Sequence, residues 1–203
     1  MRIDPRQLRT RHALADALVR LLETKPLDEI GVAELCREAG VHRTTFYGHF
    51  DGVAEFALAE FSQGIDRIAA VEVRPGVEAP ADVARRYAES MREILAHTAE
   101  ERLGYRTLLG PATRGLFRTV LEERMRHRAR LALEVWREQG VPGAPVSDGA
   151  IDQAAAYISG GLVGAIEVWV LGDETDAAAS ADRLTDLLPI WWPRGPRTGA
   201  GAS

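Results

Sequence analysis

The chain has 203 residues, of which 46% are hydrophobic and 27% charged, a balance that is typical of a globular protein and excludes a disordered or fibrous chain. Its single cysteine, Cys36, excludes an internal disulfide and a multi-cysteine metal site. The net charge is −5, yet the first fifty residues carry eight arginines and lysines against seven acids. This near-neutral N-terminal part permits contact with phosphate, because such contact depends on the local field.

Helical periodicity runs along the whole chain. Leucines spaced three and four apart from Leu8 to Leu22 predict a first helix, which must end before Pro26. A short second helix is predicted over 32–39, where Gly40 stops it, a third over 43–49 and a fourth over 53–68. Further helices are predicted over 81–97, 99–109, 113–139, 151–171 and 177–188. No stretch has the pattern of a strand, so the predicted fold class is all-α.

The longest apolar stretch, 154–171, is barely long enough to cross a membrane and contains Glu167 and three glycines. We therefore expect a buried helix of a soluble protein and no membrane contact. The N-terminal residues lack the apolar core of a secretory signal, and with the single cysteine this predicts a cytoplasmic protein.

Two short helices joined by a glycine-containing turn, 32–39 and 43–49, predict a helix-turn-helix whose second helix can enter the major groove of DNA. Phe46 and Phe50 are expected to fix that helix to the core. Its remaining side chains are hydrogen-bond donors suited to base edges and phosphates, namely Arg43, Thr44, Thr45, Tyr47 and His49.

The run Arg43-Thr44-Thr45-Phe46-Tyr47-Gly48-His49-Phe50, following Ala39-Gly40-Val41 and preceded by Pro26-Leu27-Asp28-Glu29-Ile30, resembles the TetR family of regulators. The resemblance covers about residues 8–61. It implies that Arg43, Thr44, Thr45 and Tyr47 contact bases or phosphates and that His49 contacts the DNA backbone. The predicted DNA-binding set also includes the residues just before the two helices, His42 and Gly31.

The sequence departs from the family pattern at two positions. Gly31 stands where the family usually has a threonine that caps the second helix, which keeps the backbone geometry and loses the hydroxyl. Val53 stands where the family usually has a lysine that contacts phosphate. We expect weaker non-specific affinity for DNA, or compensation from Arg6, Arg9 or Arg11 on the first helix.

The resemblance implies a three-helix head, residues 1–50, on a C-terminal helical-bundle domain, residues 51–190, that dimerises and binds a ligand; a disordered tail is predicted over 191–203. The dimer interface is predicted from an apolar ridge and two glycines of one helix: Ile158, Gly160, Leu162, Gly164, Ala165 and Trp169. The ligand pocket is predicted from aromatic, leucine and methionine side chains of the body, which a plain core would also contain: Tyr87, Met91, Leu95, Tyr105, Leu108, Phe117, Leu121, Met125, Trp136 and Tyr157.

The function predicted from these features is a repressor that binds a palindromic operator as a homodimer and is released by a small-molecule effector. Arg124 and Arg128 could meet an acidic effector, although the run of arginines from Arg124 to Arg130 is more simply a solvated face. Two other classes stay open: a helical adaptor that keeps the head without binding DNA, and a helical enzyme. Scattered histidines and the absence of a phosphate loop or nucleophile motif argue against the enzyme, and no cofactor or metal is predicted.

Overall fold

The computed structural model describes residues 5–69, 71, 78–111 and 113–194, and within these ranges the chain contains helices and no strand. The helices are α1 (Pro5–Leu22), α2 (Val32–Ala39), α3 (Arg43–Tyr47), α4 (Val53–Ala69), α5 (Pro80–Glu100), α6 (Arg102–Leu108), α7 (Arg114–Glu138), α8 (Asp148–Leu171) and α9 (Ala177–Asp186). A single 3₁₀ turn, Leu27–Glu29, lies between α1 and α2. The predicted all-α fold class is confirmed.

The chain divides into two compact units, which we call unit 1 (residues 1–65 and 101–118) and unit 2 (residues 66–100 and 119–203). These units follow the packing of helices rather than the chain order. The functional domains predicted above, 1–50 and 51–190, stay a prediction.

The core of unit 1 is built by the face of α1 that the leucine spacing predicts. Leu14 and Leu18 are fully buried, as are Leu35 of α2 and Phe56 of α4. Leu8, at the other end of the stripe, is exposed. Close-packed apolar side chains of this kind provide most of the stability of a small helical unit.

Helix α6 also belongs to unit 1 and packs against α4. The ring of Tyr105 lies 5.1 Å from that of Phe61, centroid to centroid, and the Tyr105 hydroxyl donates a hydrogen bond to the Phe61 carbonyl at 3.3 Å. Gly104 permits this approach, because a Cβ added there would lie 2.1 Å from Cζ of Phe61.

The core of unit 2 centres on Trp136 of α7, which is fully buried. Val83 of α5 and Ile151 and Ile158 of α8 join it in one apolar cluster. Trp192 is buried in the same cluster, with its ring 5.0 Å from that of Trp136.

The disordered tail predicted over 191–203 is therefore wrong at its start. The many prolines and glycines after residue 189 suggested disorder, but the indole of Trp192 buries a large apolar surface and thereby orders residues 191–194. Residues 195–203 lie outside the described residues.

Helix α8 is long and apolar enough to cross a membrane by length and composition alone, a test that the core helix of a soluble protein also passes. Its inner face carries Ile151, Ala155 and Ile158, which pack in the core of unit 2. The opposite face of α8 is exposed in the single chain, with Tyr157 and Val168 about three quarters accessible.

Candidate nucleic-acid interface

The turn between α2 and α3 is fixed by backbone hydrogen bonds. Gly40 adopts φ +66°, a left-handed conformation that glycine takes without steric cost. The Val41 N–H donates to the Cys36 carbonyl at 2.9 Å, and the Gly40 N–H donates to the Arg37 carbonyl at 3.3 Å. This pair of bonds is a Schellman motif, which ends α2 at a defined angle and determines where α3 begins.

Helix α3 has only five residues and is held to unit 1 by aromatic packing. Phe46 is fully buried, and its ring lies 5.9 Å from that of Phe56. Phe50, just after α3, lies 4.9 Å from Phe56. A helix this short has little stability of its own, so the packing of these rings stabilises its position.

The predicted DNA-contacting residues all lie on the exposed surface of this motif. His42, which precedes α3, and His49, which follows it, are exposed. Within α3 the exposed side chains are Arg43, Thr44, Thr45 and Tyr47; Tyr47 is 57% accessible despite its large ring. Arg43 and Tyr47 are four residues apart and therefore share one face of the helix.

The start of α2 lacks a side-chain cap, as the glycine at position 31 predicts. Gly31 has the extended backbone of an N-cap residue and no side-chain hydrogen bond. Glu34, in the first turn, accepts a hydrogen bond from Nζ of Lys25 at 2.6 Å. This bond and the nearby lysine charge lower the pKa of the Glu34 carboxyl, and the Gly31 N–H contributes a further hydrogen bond. The ion pair thus connects the end of α1 to the start of α2.

Several basic side chains of the head are already engaged. Arg20 pairs with Glu38 at 2.9 Å, and Arg11 pairs with Glu60 and lies 6.0 Å from the Phe50 ring. Of the arginines expected to compensate for the lost lysine contact, Arg11 is therefore one already held by an acidic partner. Val53 itself is buried.

Three arginines of the head are exposed and form no ion pair within the described part of the chain: Arg9, Arg37 and Arg43. Arg9 can still serve as a phosphate contact. The Arg6 side chain lies outside the described residues. Arg37 was not among the predicted DNA-contacting residues, because its exposure depends on how α2 packs.

Cys36 is buried next to this motif. Burial raises the pKa of its thiol, and the charge of Arg43 opposes that shift only in part. A thiol that stays protonated reacts slowly, which argues against a redox sensor at this position. Among the described residues no group of three or more His, Cys, Asp or Glu side chains could hold a metal ion.

A second candidate site is a cavity of about 430 Å³ within unit 2, walled by α5, α7, α8, α9 and the segment that follows α9. Three of the predicted pocket residues line it: Tyr87, Met91 and Met125. Ile158 and Leu162, which were predicted for the dimer interface, also line it.

The structure places the other predicted pocket residues elsewhere. Tyr105, Leu108 and Phe117 are buried in unit 1, and Leu95, Leu121 and Trp136 are buried in unit 2 without reaching the cavity. Tyr157 is 75% exposed on the outer face of α8. Helical spacing alone could not separate these positions, because core and cavity walls use the same residue types.

The predicted dimer residues divide between the two faces of α8. Ile158 and Trp169 are buried within the single chain. Gly160, Leu162, Gly164 and Ala165 are half-buried. The outer face is an apolar stripe with steps of four and three residues, which we call the α8 stripe: Tyr157, Gly161, Gly164, Val168 and Leu171.

Comparison with known proteins gives a family match for the head and solved structures of similar fold. The family model of bacterial regulatory proteins of the tetR family matches residues 14–59. No curated protein sequence matches the chain. Among solved structures, the dihydroxyacetone kinase operon activator DhaS superposes with a TM-score of 0.61 at 14% identity, covering 88% of this chain and 93% of that one.

Two further structures share the fold. RolR, solved without ligand, gives a TM-score of 0.58 at 22% identity over 87% of this chain and 89% of its own. The repressor AlkX from Dietzia sp., implicated in biodegradation of n-alkanes, gives 0.51 at 23% identity over 86% of this chain and 93% of its own. At these identities the comparison shows the fold alone.

Proposed function

Because the chain belongs, through residues 14–59, to the tetR family of bacterial regulatory proteins, we propose that it is a cytoplasmic repressor that binds a palindromic operator as a homodimer and is released by a small molecule. The family assignment makes it a transcriptional regulator. The operator, the dimer and the effector are the parts that need experiment.

The observation that carries the DNA-binding proposal is the composition of the exposed surface of α3. A five-residue helix offers Arg43, Thr44, Thr45 and Tyr47 to solvent while Phe46 fixes it to the core. Arginine pairs with two acceptors of guanine, threonine presents a methyl and a hydroxyl to base edges, and tyrosine reaches phosphate. His49, His42 and the backbone at Gly31 flank this surface and would add contacts to the DNA backbone.

The α8 stripe supports a homodimer. Tyr157 and Val168 are largely exposed apolar side chains, and Gly161 and Gly164 between them leave room for a close helix approach. A second copy of α8 would cover the stripe, and a twofold dimer matches the palindromic half-sites that helix-turn-helix proteins read.

The cavity of unit 2 supports an effector. Release from DNA requires that the effector bind one state of the dimer better than another, so that the favoured spacing of the two α3 helices no longer fits the operator. Helix α4 is the proposed lever, since residues 53–65 belong to unit 1 and residues 66–69 to unit 2.

The test is a binding assay of the full chain with the DNA upstream of its own coding sequence, at two salt concentrations. The variant Arg43→Ala/Tyr47→Ala should weaken binding about tenfold or more, since one bidentate arginine contact to a base contributes about 1–3 kcal/mol. Arg126→Ala, which removes an exposed arginine of α7, is the matched control and should bind as the wild type does.

Binding that falls steeply with salt and is lost in the double variant supports the proposal. Binding that the double variant retains would refute the assignment of α3. A partner bound through an apolar surface would instead be insensitive to salt and would favour the adaptor. The solved structures of similar fold include both an activator and a repressor by their descriptions. A reporter gene fused to the bound DNA therefore tests whether this protein represses or activates transcription. For a repressor, deleting the protein should raise expression of the reporter.

A further inference from the structure

One guanidinium in the wall of the unit 2 cavity has no carboxylate partner in the described part of the chain. Arg128 of α7 donates from Nη2 to the Ser90 hydroxyl at 3.0 Å, and its guanidinium carbon lies 5.5 Å from the centre of the Tyr87 ring. Its Nη1 atom is buried and has no hydrogen-bond partner within the described residues.

Tyr87 also contacts the backbone of Arg128. Its hydroxyl donates to the Arg128 carbonyl at 3.0 Å, and burial raises the pKa of Tyr87 to about 12. The tyrosine therefore stays neutral and does not balance the charge of Arg128. Burial also lowers the pKa of the Arg128 guanidinium, the direction expected for a cation that has lost water without gaining an anion.

The other cations of the cavity wall are already satisfied. Arg85 pairs with Glu89 at 3.0 Å and Arg92 with Asp182 at 2.6 Å. Arg194 is exposed and donates to the carbonyls of Asp186 and Leu188. Arg128 is thus the wall cation that combines a buried Nη1 with the absence of an acidic partner among the described residues, and a buried group that keeps its charge unpaired is costly until an anion reaches it.

Part of the remaining wall is apolar. Tyr87, Met91, Met125, Ile158, Leu162 and Trp192 line it. The volume of about 430 Å³ lies in the lower part of the range of about 300–1,000 Å³ that small-molecule sites occupy. Aromatic rings, methionines and branched aliphatic side chains suit the hydrocarbon body of a small ligand.

We propose that this cavity binds a small monocarboxylate with an apolar body, whose carboxylate pairs with Arg128 while the body packs between Tyr87, Trp192 and the methionines. One unpaired guanidinium balances one negative charge. A second charge on the ligand would find Arg85 and Arg92 already paired with Glu89 and Asp182. Nη1 is covered in the structure, so the carboxylate reaches it after a rotation of the Arg128 side chain. The inference deepens the effector part of the proposed function and rests on that function only for its regulatory consequence.

The test measures binding to the full chain by calorimetry in the absence of DNA. The probes are 3-phenylpropionate and octanoate, each compared with its primary amide, which has nearly the same shape and no charge. The wild type should bind at least one acid, and its amide at least tenfold more weakly. This comparison needs no variant, so it holds even if a substitution at Arg128 disturbs folding.

Two variants test whether Arg128 is the cation that binds the carboxylate. Arg128→Met should weaken binding of the acid at least tenfold and leave binding of the amide unchanged. Arg126→Met removes an exposed arginine two residues away on the same helix and should have no effect. Equal affinity for acid and amide, unchanged acid binding in Arg128→Met, or no binding of either acid at millimolar concentration would each overturn the proposal.

A second arm separates this inference from the proposed function. The bound acid is added to the complex of the wild type with its DNA. Acid binding that follows the pattern above establishes the site whether or not DNA is bound. Acid binding that leaves the DNA complex intact would refute release by this ligand, and failure to bind any DNA would refute the regulator, while the carboxylate site stands in both cases.

Discussion

Gly31 is a single residue whose replacement should strengthen the start of α2. Its backbone is already extended at φ −84°, and a Cβ there would meet nothing within 4 Å. In Gly31→Ser the hydroxyl can accept a hydrogen bond from the first turn of α2, and we expect the free energy of unfolding to rise by about 0.5–1 kcal/mol over Gly31→Ala. Urea denaturation followed by circular dichroism measures this. Equal stability of the two variants would show that the hydroxyl makes no cap.

Individual residues were predictable where local rules decide their role. Gly40 had to follow α2 because the helix ends in a left-handed turn, and Phe46 had to be buried because the other side chains of α3 are polar. Arg128 was not predictable. Successive arginines at every second position, Arg124 to Arg130, point to alternating sides of a helix, so they form no single solvated face. Which side is buried depends on α5 and Tyr87, which the local sequence of α7 does not reveal.

Helix α6 offers a prediction about packing between elements. Gly104→Ala would place a Cβ within 2.1 Å of the buried Phe61 ring, and overpacking of this kind costs about 1–3 kcal/mol. Gly115→Ala, near the start of α7, meets nothing within 4 Å and should leave stability unchanged or slightly raised. Thermal unfolding of the two variants compares them directly. A melting temperature of Gly104→Ala as high as that of Gly115→Ala would mean that Phe61 moves aside freely.

The helices themselves were predicted well because proline, glycine and leucine spacing mark their ends and faces. The predicted 32–39 matches α2, and the predicted 43–49 extends only two residues past α3. It was harder to predict which face of α8 is buried within one chain. Its apolar residues surround the helix, so periodicity could not show that Ile158 and Trp169 are buried within one chain. The wall of a cavity and the face of a dimer are set by neighbouring helices, which periodicity in one helix does not specify.

At the scale of the whole molecule, the α8 stripe predicts the oligomeric state. Val168 and Val146 are both 74% exposed, but only Val168 lies on the stripe. Val168→Glu should convert the proposed dimer largely to monomer, because a twofold axis would bring two buried carboxylates together. Val146→Glu should leave the mass unchanged. Light scattering coupled to size-exclusion chromatography gives the mass. A dimeric Val168→Glu variant would show that the dimer interface does not include the α8 stripe.

The ion pair between Lys25 and Glu34 has a chemical consequence for the whole chain. Lys25 is the only lysine in the sequence, so any reagent or enzyme that acylates side-chain amines has a single target, and that target sits at the joint between α1 and α2. Acylation there would remove the charge that Glu34 pairs with and weaken the contact that connects α1 to the start of α2. Acylation of the side-chain amine of this chain is therefore a local perturbation of the head, and labels meant to be inert are better attached to a cysteine introduced at an exposed site such as Val146.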